Sequence, residues 1–346
     1  MGALDSARNA IAENLGGPAT KLATHKFSLS ETPSLTGKVA VVTGGSEGIG
    51  YGVTHTFLTH DIHKLFILSL SEDVVRGAQA AVASELGQDK ADRTTWIRCD
   101  LADWGSIKGV AEQIGAQTQR LDVLVNNAGL GAHTFGLSAL GVDRHMAINH
   151  FGHALLTSHL FPLLKSTAEK GDTVRITNTA SNMHQSTPSS TRFESLDEIN
   201  QDLGASALYG RSKLANILFA RWFNRNITQQ GHPNIIMNAT HPGFVSSRMS
   251  KEQIHEPYPL GGYGVSVLAE PLKKDQFEGA VSTVYAATVT KNSGEFICPP
   301  AVPEPGTKMA QDEQLADRLM ELTKRVIGEK LNGGQREDVL GDLLSP

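Results

Sequence analysis

Six short runs of β-branched and apolar residues recur along this chain, each followed by turn residues and then by a helical pattern. That alternation leaves few folds open. The runs are KVAVVTG (38–44), HKLFILSL (63–70), RTTWIRCD (93–100), RLDVLVNNAG (120–129), DTVRITNTAS (172–181) and PNIIMNATHPG (233–243). Between them lie stretches such as SEDVVRGAQAAVASELG (71–87) and WGSIKGVAEQIGAQT (104–118), whose apolar residues repeat at helical spacing. Strands apolar on both faces and separated by helices belong in a parallel sheet, because only a crossover returns the chain to a parallel neighbour. GEFICP (294–299) reads as a seventh strand, at the edge. The expected class is α/β, a doubly wound parallel sheet of about seven strands.

Residues 1–36 read as an N-terminal extension closed by the breaker-rich SETPSLTGK, and 37–300 as one catalytic domain. Residues 301–346 hold an amphipathic helix, DEQLADRLMELTKRVIGEKL (312–331), and a Gly-containing polar tail. Inside the domain, 183–206 breaks the rhythm with polar and turn residues and reads as an insertion. The segment 248–272 mixes apolar and aromatic residues with Gly and Pro, as a mobile substrate lid would. Gly2 and Ser6 match the M-G-x-x-x-[ST] lipidation pattern, but no polybasic patch follows and an amphipathic lead-in helix is the plainer reading. No apolar run reaches the ~18 residues of a membrane span. A net charge of -5 argues against a nucleic-acid partner. Two cysteines, Cys99 and Cys298, form no framework, so a reducing cytoplasm is the expected compartment.

Three constellations carry chemistry. After the first run, VVTGGSEGIG (41–50) supplies Gly44, Gly48 and Gly50 around Ser46, Glu47 and Ile49. Such a turn lets backbone approach a phosphate, and the helix behind it offers unpaired N–H groups and a positive dipole end. A turn shaped only by packing is the alternative. NNAG follows the fourth run and brings Asn127, Ala128 and Gly129 to a strand's carboxyl end, where doubly wound sheets bind ligands. Alone it reads as an ordinary turn. In YGRSK, Tyr209 and Lys213 lie four apart on one helix face, where an ammonium favours an ionised phenol. A surface pair on an amphipathic helix is the alternative. The histidines His145, His150 and His153 match no ordered metal-ligand spacing, so no metal is expected.

Taken in order, TGGSEGIG, Asp100-Leu101, NNAG, Asn149, Ser181, Tyr209/Lys213 and HPGFVSS resemble the short-chain dehydrogenase/reductase family over about residues 37–300. The gap between Ser181 and Tyr209, with NHFGHALLT and YGRSKLANILF, looks like the retinol-dehydrogenase and WW-domain-oxidoreductase branch. The resemblance implies a Rossmann-type NAD(P)-binding domain. It implies Tyr209 as general acid or base and Lys213 as the residue that lowers its pKa and holds the nicotinamide ribose. Ser181 would bond the reacting oxygen and Asn149 would position a relay water. Asp100 and Leu101 match the adenine-contacting pair. Pro242, Gly243, Val245 and Ser247 match the segment along the nicotinamide, with Ser247 where the family usually has Thr.

Cofactor choice turns on charge beside the adenosine ribose. A cation there receives the 2′-phosphate of NADP. Here Glu47 precedes the middle glycine and Ser69-Leu70-Ser71 ends the second run, so repulsion favours NAD; Arg76 keeps NADP open. A Glu47 that merely faces solvent at a helix N-terminus is the alternative. The expected substrate is a bulky, largely apolar alcohol or ketone. A non-redox cyclase or isomerase, or a cofactor-sensing protein, remains possible on the same fold. Relatives pair through helix faces equivalent to HMAINHFGHALLTSHLFPLL and YGRSKLANILFARWF, so a homodimer is a candidate assembly unless the terminal extensions block it.

Overall fold

All seven runs pair into one sheet in a computed structural model that describes residues 26–243, 275–332 and 341–344. Gly2, Ser6, Val245, Ser247 and the 248–272 segment lie outside the described residues. The strands are β1 (Val39–Thr43), β2 (Lys64–Ser69), β3 (Thr94–Arg98), β4 (Val123–Asn126), β5 (Val174–Thr179), β6 (Ile235–Thr240) and β7 (Phe296–Cys298). An eighth, β8 (Val302–Glu304), was not expected. The order is β3-β2-β1-β4-β5-β6-β7-β8, parallel throughout except for the antiparallel β7–β8 pair. The chain order reverses between β1 and β4, and it is there that a doubly wound sheet opens a crevice.

The strand expected at the edge, β7, is therefore internal, and β8 takes the edge. Its three residues carry no periodicity and have Pro303 in the middle, so no local pattern marks it as a strand. A proline lacks the N–H for a second ladder and is tolerated on an edge strand. The sheet thus runs past residue 300.

Seven longer helices cover the sheet: α1 (Gly48–Thr59), α2 (Glu72–Leu86), α3 (Trp104–Gly115), α4 (His153–Ala168), α5 (Ala205–Phe223), α6 (Gln276–Thr288) and α7 (Glu313–Asn332). One core packs α1, α2 and α6 against Ala40, Val42, Leu65 and Ile67. The other packs α3, α4, α5 and α7 against Val41, Phe66, Leu68 and Ile176. Alternate residues of each strand thus serve opposite faces, which is why the runs read as continuously apolar. Local chemistry sets the helix ends. Ser71 accepts the Val74 N–H to start α2, and Gly87 at φ 99° ends it. Asp275 accepts the N–H groups of Phe277 and Glu278 to start α6.

The helix faces expected to pair two copies are covered within the chain. α7 lies on α5, and Gly341–Leu344 lies on α4. Leu315, Leu319, Met320, Val326 and Ile327 of α7 are buried. Thr323 of α7 bonds the His150 ring at 2.8 Å, and Arg225 pairs with Glu313 and Asp317. Pairing through those faces would require α7 and Gly341–Leu344 to leave.

α1 approaches the start of α6 so closely that a Cβ on Gly52 would lie 2.5 Å from the Gln276 carbonyl oxygen. Backbone cannot yield as a side-chain tip does, so Gly52→Ala is expected to cost about 1–3 kcal/mol of unfolding free energy. Urea denaturation measures it; a midpoint unchanged by the substitution would mean that α1 shifts freely on α6.

Candidate active site

At the carboxyl ends of the strands lies a cleft of about 470 Å³. Its floor is the turn after β1. Gly44 and Gly48 hold φ values of 63° and 54°, which only glycine adopts without strain. Gly50 does not line the cleft; a Cβ there would lie 2.0 Å from the Gly44 carbonyl oxygen, so its role is to let α1 close under the turn. Glu47 sits at the N-cap of α1 but makes no side-chain capping bond. The first-turn N–H groups of α1 thus have no partner inside the helix, which suits a phosphate. A dinucleotide's pyrophosphate fits this cradle.

Thr43 ties the turn to NNAG. Its hydroxyl accepts the N–H groups of Asn127 and Ala128 at 2.8 and 2.9 Å, and Asn127 Nδ2 donates to the Thr43 carbonyl at 3.0 Å. Asn126, by contrast, turns into the sheet and bonds Asn178 and Thr157. Gly44, Ser46, Glu47, Gly48, Ile49, Asp100, Leu101, Asn127, Ala128, Gly129, Tyr209, Lys213 and Pro242 all line the cleft.

Tyr209 and Lys213 enter from α5. Gly210 allows that helix to press on the turn Asn182–Ser186, since a Cβ there would meet the Met183 carbonyl oxygen at 2.4 Å. Lys213 Nζ donates to the Thr179 carbonyl at 2.9 Å and stands 5.4 Å from the centre of the Tyr209 ring. Burial pushes its ammonium down to about 8, because a desolvated cation is disfavoured.

Asn149 and Ser181 are buried and are not among the residues that line the cleft. Asn149 lies in a π-helical turn, Ala147–Gly152, ahead of α4. Its Oδ1 accepts the Leu130 N–H at 2.7 Å, and its Nδ2 donates to the Leu130 carbonyl and to Ser212 Oγ, both at 2.9 Å. Ser181, expected at the end of β5, lies two residues beyond it at the N-cap of the turn Asn182–Ser186; it accepts the Met183 N–H at 3.1 Å and offers its carbonyl to His184 Nδ1 at 2.8 Å. His184 Nε2 in turn accepts the Thr307 N–H. Gly243, at φ 79°, does not line the cleft.

Thr43, Cys99, Thr179, Ala180, Leu130 and Ile148 also line it and were not singled out from the sequence. Each is a close chain neighbour of a residue that was, five of them at or near a strand's end and Ile148 beside Asn149 in the π-helical turn, so the signal was there. His133 had none: the 130–145 loop folds back and places it. Burial pushes the Cys99 thiol up to about 12, with Asp100 and Asp103 adding to it, so it stays protonated. The three histidines have separate partners: Asp143 for His145, Thr323 for His150, and Thr43 for His153. Among the described residues no three or more His, Cys, Asp or Glu are placed to hold a metal ion, and no helix is long and apolar enough to cross a membrane.

Residues 38–190 match the family model described as short chain dehydrogenase. A Neurospora crassa protein named "Putative oxidoreductase bli-4, mitochondrial" is 58% identical over 331 residues, covering 94% of this chain and 80% of that protein. The WW domain-containing oxidoreductase of Homo sapiens is 30% identical over 308 residues, covering 86% of this chain and 69% of that protein. Among solved structures, the Pseudomonas aeruginosa RhlG/NADP active-site complex has a TM-score of 0.57 at 24% identity, over 76% of this chain and 95% of that one. That last likeness speaks for the fold alone.

The buried ammonium has a cost in stability with a defined pH window. Folded Lys213 releases its proton near pH 8 against 10.5 for the free side chain. The cost is therefore complete below pH 8 and disappears as the pH rises to 10.5. Lys213→Met, which leaves the Thr179 carbonyl its bond from Asn216, is expected to stabilise the fold at pH 7 by about 1–2 kcal/mol. The gain should shrink steadily above pH 8; urea midpoints across that range check it, and a pH-independent difference would contradict it.

Proposed function

The chain belongs to the short-chain dehydrogenase/reductase family of NAD(P)-dependent oxidoreductases, and from that premise we propose that it interconverts an alcohol and a carbonyl on a bulky, largely apolar small molecule. The observation that carries the reading is the buried Lys213 ammonium, 5.4 Å from the Tyr209 ring centre, at the end of a cleft whose other end is the glycine turn. Tyr209 is the general acid that protonates the carbonyl oxygen in reduction and the base in oxidation. Lys213, which spends one proton on the Thr179 carbonyl, stabilises charge on the phenol oxygen and has protons left for ribose hydroxyls.

Ser181 accepts from Met183 and so retains its own hydroxyl proton for the reacting oxygen. Both Nδ2 hydrogens of Asn149 are taken, so a relay water on its side chain would bind the second Oδ1 lone pair. The nicotinamide supplies the hydride, and the protein supplies orientation and electrostatics. Leu130, Ile148, Ala180 and Pro242 on the cleft wall support an apolar substrate. The segment expected to close over it, 248–272, lies outside the described residues.

NAD remains the favoured cofactor. Glu47 is exposed on the cleft rim, and Arg76 is turned away into an ion pair with Glu72. One observation favours NADP instead: Arg98 is exposed at the end of β3, and its register partner is Ser69, which lines the cleft. Compartment is not decided by the cysteines, since two buried thiols suit any reducing environment.

A panel of apolar alcohols and ketones, followed at the nicotinamide absorbance with both cofactors, tests the activity. Tyr209→Phe is expected to lower turnover by about 10²–10⁴-fold while leaving cofactor affinity nearly unchanged. Undiminished turnover would remove Tyr209 from the chemistry. Glu47→Arg should raise the affinity for NADPH relative to NADH by roughly tenfold. An unchanged ratio would make Glu47 a bystander, and loss of NADPH binding on Arg98→Ala would support the NADP reading.

A further inference from the structure

The hydrogen bonds that Thr43 makes fix the tautomer of a buried histidine. The Thr43 hydroxyl already accepts two N–H groups, from Asn127 and Ala128, which fills its lone pairs. Its own proton therefore goes outward, to His153 Nε2 at 2.9 Å rather than to the more distant Val125 carbonyl at 3.4 Å. Nε2 must then be bare, so the ring hydrogen sits on Nδ1 and is donated to the Asn149 carbonyl at 3.2 Å. Burial keeps the imidazole neutral, with its pKa pushed down to about 3.

The bonds close a circuit. Asn149 grips the backbone of Leu130 by both its N–H and its carbonyl, while Thr43 grips Asn127 and Ala128. His153 joins the two grips from behind, so that the cleft-lining segment 127–130 is held at both ends by one connected frame. From Asn149 the chain of bonds continues through Ser212 Oγ to the Tyr209 carbonyl at 2.7 Å. We propose that His153 is a positioning residue that couples the glycine turn after β1 to Asn149 and the Tyr209 helix. Seating a dinucleotide on the turn then also fixes the proton-transfer groups. This rests on the reading of the cleft as a dinucleotide site.

Only a side chain with an acceptor at one end and a donor at the other can make both bonds. Leu at position 153 fills the space and makes neither, whereas Gln can present an amide oxygen to Thr43 and an amide N–H to Asn149. Calorimetric titration of the full chain with NADH and with NADPH is the first test. His153→Leu is expected to weaken the better-bound nucleotide by about 5–100-fold, and His153→Gln to recover most of that loss. Equal weakening in the two variants, or none in His153→Leu, would overturn the coupling.

A second measurement needs no variant. In hydrogen exchange of the wild-type chain, adding the nucleotide should slow peptides covering 146–154 together with those covering 126–131. Protection confined to 126–131 would overturn the proposal. A wild-type chain that binds neither nucleotide would defeat the dinucleotide reading itself, which is a different outcome from binding without coupling.

Discussion

The Thr43 hydroxyl is the contact on which the site depends. β1 and β4 are neighbours in the sheet, and beyond their last paired residues the two chains diverge, one into the glycine turn and the other into NNAG. Nothing in the ladder constrains them past that point. Thr43 does so by accepting two backbone N–H groups from the opposite strand's continuation, and Asn127 returns a bond to the Thr43 carbonyl. Buried N–H groups left unpaired are costly, so the two segments are set relative to one another before any ligand arrives.

The second recurring device is the use of buried, potentially charged side chains that are kept neutral or placed on carbonyls. Lys213 donates to the Thr179 carbonyl, and burial lowers its pKa to about 8. Arg211, almost wholly buried on the same helix, donates to the carbonyls of Glu198 and Ile199, with Asp143 nearby as counter-ion. His153 and His184 each offer an N–H to the carbonyl of a predicted catalytic residue, Asn149 and Ser181. Such groups trade stability for fixed geometry, a trade expected where catalysis needs preorganisation. Arg211 also anchors the short helix Leu196–Ile199, so the 183–206 insertion is fastened to α5 rather than hung beside it.

Much of this was legible in the chain. Seven strands were legible because each lies in a run of apolar and β-branched residues closed by turn residues, although β3 is largely half-buried and β7 has only three residues, and the glycine turn, NNAG and the Tyr209/Lys213 pair stood out by residue type and spacing. β8 did not, because three residues with a central proline make no pattern. Nor did the division of labour within NNAG, where Asn126 serves the sheet and Asn127 the turn. Alternation along a strand that ends at Asn126 decides that, and a one-residue shift in the ending would have reversed it.

The sequence by itself determined the doubly wound sheet, the crevice side of it, and the residue types gathered there, because periodicity and turn chemistry are local properties. Only the tertiary structure decided which of those residues meet. His133 reaches the cleft by a loop that folds back on itself, and His153 stands between Thr43 and Asn149 because a π-helical turn precedes α4. α7 covers α5, and Gly341–Leu344 covers α4, the helices that might otherwise have paired two copies. Partners 110 or more positions apart, as Thr43 and His153 are, depend on how helices cross the sheet, and no local pattern records that.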